Sequence, residues 1–178
     1  MPSKPNSGDR PFWTFSLDVY ARPGITDACL SLQDQYGCDV NILLFCCWAA
    51  SVGTGHLDDP TLEDAIASVK QWQAEVIKPV RAIRRRLEAE LAYVDPKTAA
   101  KLRAEIGAAE LQAESVEQDI LEKLIVPGAS GGRGCAVQLE NAQHNLLAYL
   151  KLIGTERKNE ALDAISTIVD GCFTSAES

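Results

Sequence analysis

Residues 39–51 read DVNILLFCCWAAS. From Ile42 to Ala50 there is neither a charge nor an amide, and a helical projection puts apolar or small side chains on every face. A helix that is apolar all round belongs at the centre of a domain. Asp39 fits its N-cap, because a carboxylate there accepts from the exposed amides of the first turn. The nine residues before Ile42, QDQYGCDVN, hold six charged, amide or glycine positions. So abrupt a change reads either as the entry of a buried helix or as a polar site built against a core.

Other helices are expected around this rod. Upstream, Phe12, Phe15, Val19 and Tyr20 recur at helical spacing until Arg22-Pro23-Gly24 interrupts them. A second helix runs from Pro23 to Tyr36 with Ile25, Ala28, Cys29 and Leu32 on its apolar face, and Gly37 stops it. Downstream, Asp59 before Pro60 reads as an N-cap with proline at the first helical position. The series Ile66, Val69, Gln73, Val76, Val80, Ile83, Leu87, Glu90, Val94 then steps by threes and fours, with a kink expected one turn before Pro79. Asp95-Pro96 restarts a helix carrying Leu102, Ile106, Ala109, Ala113, Val116, Ile120 and Leu124. These two long helices form an antiparallel hairpin over 60–126, each arm exceeding roughly 40 Å at the helical rise. That reach outruns what the remaining helices can cover, so part of the seam is expected to serve a partner or a second copy. After the glycine-rich loop at 128–134, a sixth helix carries Leu139, Ala142, Leu146 and Leu150, and a seventh carries Leu162, Ile165, Val169 and Cys172. The fold class is therefore all-α: one bundle of six to seven helices over 11–173, with a disordered tail at 1–10 and a short tail at 174–178.

The chain has 178 residues, enough for one domain with its own core. Its formal net charge of −8 disfavours nucleic acid and anionic membranes. The start, MPSKPNSGDRP, has no apolar h-region, and no apolar run is long enough to cross a bilayer. A cytoplasmic protein is expected, with its six cysteines reduced. None of the cysteines has zinc-finger spacing, so no metal and no cofactor are assigned.

The stretch FWTFSLDVY, followed by RPG, ACLSLQD and GCDVNILL, resembles a proteobacterial family of unknown function, and WQAEVIKPVRAIRR is similar too. Together these cover about a third of the chain. The resemblance implies a small cytoplasmic bacterial protein and brings no activity, cofactor or catalytic residue.

Two polar constellations are candidates for binding. The first is Asp34, Asp39 and Asn41. Asp39 is explained as a cap and Asn41 as a first-turn amide, but Asp34 near a helix C-terminus opposes the dipole and asks for a partner. Arg22, Arg10, the basic helix, or a cation shared with Asp39 all answer that need. The second is KPVRAIRRRLEAE at 78–90, where Lys78, Arg81 and Arg85 form one stripe with Arg84 beside it. Such a stripe grips a small anion or an acidic partner, although Arg84–Glu88 and Arg86–Glu90 are i, i+4 pairs that need no ligand. The Gly-rich loop lacks the phosphate-loop lysine. His56 and His144 read as loop and stripe-edge residues. Asp58-Asp59 does not complete the aspartate pattern of isoprenoid synthases, because Leu62 stands where an acid is needed.

With no catalytic constellation, the sequence favours a non-enzymatic interaction or regulatory protein that pairs, as a homodimer or with a protein partner, through the hairpin. The alternative is an enzyme or small-ligand binder with a polar or anion pocket around Asp34, Asp39, Asn41 and the arginine stripe.

Overall fold

The computed structural model describes residues 11–89, 91–128, 134–155 and 159–173. The expected tails and the middle of the 128–134 loop lie outside these residues. Among them the secondary structure is entirely helical: α1 (Pro11–Tyr20), α2 (Ile25–Tyr36), α3 (Val40–Ser51), α4 (Asp59–Trp72), α5 (Lys78–Arg86), α6 (Pro96–Glu122), α7 (Cys135–Leu152) and α8 (Asn159–Phe173). A π turn over Gln73–Ile77 joins α4 to α5 as one continuous rod. The described residues thus form seven helical rods in one domain.

α3 is the axis. Every residue from Asn41 to Ala50 is buried, Phe45 and Trp48 included. Its main neighbour is α7, and α1, α2 and α6 close the other sides. Phe12 of α1 stacks on Trp48 at 5.0 Å between centroids and meets Phe45 edge-on at 6.1 Å. The apolar all-round sequence works here because no face of α3 reaches water. Its first turn is sealed as expected: Asp39 Oδ1 accepts from the Asn41 backbone N–H at 2.9 Å. Gly37, at φ 71°, ends α2 in the left-handed turn that only glycine enters freely.

Several boundaries differ from the periodicity. Asp58, not Asp59, caps α4, accepting from the Thr61 N–H at 3.0 Å. Helix α2 starts at Ile25, with Pro23 and Gly24 spent on the turn. The rod from α4 ends at Arg86 rather than continuing to Val94. Pro79 acts through the π turn that ends at Ile77, two residues ahead of it: proline lacks an N–H, and one extra residue in the turn takes up the mismatch.

The face of α6 differs most. Leu102 and Val116 are exposed, whereas Glu110, Ala113, Glu117, Gln118 and Leu121 are buried. The apolar series therefore coincides with the buried face only in part: Ala113 is buried and Ile120 and Leu124 pack against the core, while Leu102 and Val116 face out. Carboxylates and an amide share the buried face because α5 and α3 bring partners to them.

Candidate functional site

The polar residues around the start of α3 and the middle of α6 form one network. Asn41 donates from Nδ2 to Glu117 Oε2 at 2.9 Å and accepts at Oδ1 from Gln118 Nε2 at 2.7 Å. Gln73, in the π turn, donates to both Glu117 oxygens at 3.0 and 2.9 Å. The Asp39 and Glu117 carboxyls share a hydrogen bond. Burial and then the Asp39 charge push Glu117 up to about 9, so it carries the proton of the pair near neutrality. Burial also raises Asp39, against the opposing hydrogen bonds from Glu117 and from the Asn41 and Ile42 N–H groups. The Asp39 backbone N–H goes to Tyr149 Oη at 2.8 Å, which ties α7 to the same corner.

Beside this network, α5 and α6 are laced by charge. Arg81 reaches Glu110 Oε1 and Glu114 Oε1 at 2.8 Å each, and Gln33 Oε1 at 2.6 Å. Arg84 pairs with Glu110 and, at 2.9 Å, with Glu88. Burial would raise Glu110, but the hydrogen bonds from Arg84 and Arg81 outweigh it and lower its pKa. Glu114 goes the other way, raised by burial that Arg81 only partly offsets.

Two clefts flank the Arg81–Gln33 bridge, which lines both. The larger, about 290 Å³, lies between α1, α2, α3, α5 and α6, with Asn41, Gln118 and Ser16 among its lining residues and Trp13, Leu17 and Tyr20 on its α1 side. The smaller, about 250 Å³, is lined by Asp39, Gln73, Lys78 and Tyr149. In the larger cleft, Ser16 Oγ and Gln118 Oε1 are buried without a hydrogen-bond partner. Such groups each cost about 1–3 kcal/mol.

The residues singled out from the sequence are placed as follows. Asp34 sits on the outside, its pKa lowered by the hydrogen bond from Arg85 at 3.0 Å; the basic helix supplies its partner. Asp39 looks inward to Glu117, so the two aspartates have separate partners rather than a common ion. Asn41 turns its amide across to α6 instead of helping its own first turn. Lys78 is exposed at the second cleft. Arg84 pairs with Glu88 as expected, while Glu90 lies outside the described residues. Among the described residues no group of three histidine, cysteine or acidic side chains is disposed to hold a metal.

The sequence assigns no binding role to Ser16, Gln73, Glu110, Glu114, Glu117, Gln118 or Tyr149. A signal existed for the α6 members. Positions 110, 114, 117 and 118 share one helical face, and their acids answer the arginines at 81 and 84 across a short link. The stacking of His56 on His144, 3.8 Å between ring centroids, had no sequence signal, because their segments meet only in the fold.

Fold and site together define a helical protein with a core-embedded polar network, a half-open cleft and a projecting two-helix arm. The chain belongs to the family described as protein of unknown function DUF2390, whose sequence model matches residues 11–121. That span runs from α1 almost to the end of α6 and contains all of the larger cleft. No curated protein and no solved structure matches the chain.

Proposed function

We propose that the protein is a non-enzymatic interaction module that seats its α5–α6 arm on an acidic protein surface, in a bacterial cytoplasm. One observation carries this reading: among the described residues from Lys78 to Ala109, none is buried. Ile83 (53%), Tyr93 (81%) and Leu102 (45%) stand exposed along the arm, and an apolar groove of about 420 Å³ opens at its tip between Leu87, Val94 and Ala99. An amphipathic helix pair with no buried residue gains little from its own packing, and a partner over the apolar side chains supplies the missing burial.

The partner's charge follows from the arm's. Residues 78–109 hold eight lysines and arginines against four carboxylates, in a chain of net charge −8; Arg81, Arg84 and Arg85 are already paired, so the charge turned outward rests on the exposed Lys78, Arg86, Lys97, Lys101 and Arg103. The rest of the molecule is therefore strongly acidic, and a second copy offers the complementary surface. Reciprocal exchange, each arm on the other's body, closes as a twofold dimer. The buried free thiols of Cys29, Cys38, Cys46, Cys47 and Cys172 support a reducing compartment.

Sedimentation velocity at micromolar concentration tests the proposal. The wild type sediments as a dimer at low salt, dissociates as salt rises, and becomes monomeric with unchanged helicity in Ile83→Glu/Leu102→Glu. A wild type that stays monomeric at low salt overturns the second-copy assignment.

A further inference from the structure

We propose that the cleft between α1, α2, α3, α5 and α6 binds a small neutral ligand with an apolar body and a group that both donates and accepts hydrogen bonds, such as an amide. The inference stands apart from the arm's partner and rests on different residues. Ser16 and Gln118 are each only 3% exposed, and Ser16 Oγ and Gln118 Oε1 both lack a partner. Gln118 is not free to turn away, because its Nε2 is committed to Asn41 at 2.7 Å. Its Oε1 is therefore a fixed acceptor awaiting a donor, while the Ser16 hydroxyl can donate to a ligand oxygen.

The walls set the ligand's body. Leu17, Leu30 and Leu111 are exposed, yet all three border this one cleft, with Leu44 deeper in. Apolar walls with a few fixed polar atoms are the usual composition of a small-molecule site, and about 290 Å³ places this one at the small end.

Charge decides against an anion. Arg81, Arg84 and Arg85 all line the cleft, which is what an anion site needs. But Arg81 is held by Glu110 and Glu114, Arg84 by Glu110 and Glu88, and Arg85 by Asp34. An anion would compete with these carboxylates for the same guanidinium groups, whereas a neutral amide meets the two unpartnered oxygens and leaves the ion pairs in place.

The test uses three probes on the full chain, followed by amide-resolved NMR titration. Oxindole carries an apolar ring with an N–H and a C=O, 1-methyloxindole lacks the donor, and benzoate is an anion of similar size. The expected result is saturable shifts around Ser16 and Gln118 with oxindole, with 1-methyloxindole and benzoate each about tenfold weaker or more. Ser16→Ala should weaken oxindole about fivefold or more. Leu111→Trp, at an exposed rim position, should block the cleft without touching the core. Equal binding of oxindole and its methylated form, tighter binding of benzoate, or no saturable shift at these residues overturns the proposal. Undiminished oxindole binding in Leu111→Trp does so too, even if Ser16→Ala fails to fold.

Discussion

Asn41 donates to Glu117 at 2.9 Å, joining the first turn of the most apolar helix to a carboxyl with no exposed surface. An acid is tolerated there because Asn41, Gln73 and Asp39 fill its hydrogen-bonding positions and because it keeps its proton.

This proton makes stability depend on pH. Glu117 titrates near 9 when folded, above the ordinary carboxyl range of the unfolded chain. Between those values the folded state binds the extra proton, so its contribution is full below the unfolded value and is lost as pH rises toward the folded one. Glu117→Gln keeps the shape and removes the titration. Thermal melts from mildly acidic to alkaline pH should show the variant gaining on wild type as pH rises; a constant difference across the range would show that Glu117 does not hold the proton.

Two arginines one turn apart should differ in weight. Arg81 is half-buried, its side chain 16% exposed, and it holds Glu110, Glu114 and Gln33. Arg81→Ala leaves Glu110 half-paired and Glu114 without its cation, and should cost about 2–4 kcal/mol in urea unfolding. Arg85 meets Asp34 in solvent, and Arg85→Ala should cost under about 1 kcal/mol. Equal costs would mean that the pairing inside the cleft contributes no more than a surface bridge.

Asn145 is fully buried and serves three backbone groups: its Oδ1 accepts from the Leu57 N–H at 2.8 Å, and its Nδ2 donates to the Cys46 and Gly55 carbonyls at 3.3 Å each. It pins the loop after α3 to α7. Asn145→Ala strands those groups and should destabilise by about 2–3 kcal/mol, with faster amide exchange over residues 53–57. Unchanged exchange there would show that the loop is held by other contacts.

A Cβ on Gly171 would lie 2.5 Å from Ile25 Cδ1. Helix propensity favours alanine by about 1 kcal/mol, but overpacking costs about 1–3 kcal/mol, so Gly171→Ala should be neutral to destabilising. In an Ile25→Val background the same change should be at least about 1 kcal/mol more favourable. Simple additivity in chemical unfolding would show that Ile25 moves aside freely.

Much of the architecture was legible in the chain. Ile42 to Ala50 marked the axis, Gly37 and Asp39 marked the turn into it, and Pro79 marked the irregularity in the long rod. These are local properties, since a helix's period, caps and breaks depend on residues within one or two turns. The face of α6 was legible only in part, for the complementary reason. A buried glutamate is indistinguishable in sequence from a solvated one until its partner is known, and Arg81, Arg84 and Asn41 arrive from other elements. Ser16 and Gln118 became candidates only once packing had sealed them from water with an oxygen left over on each. By itself, then, the sequence determined which segments are helical and which helix lies at the centre. Tertiary structure alone decided which polar groups lose their water, because desolvation belongs to the assembled surfaces and not to any one stretch of chain.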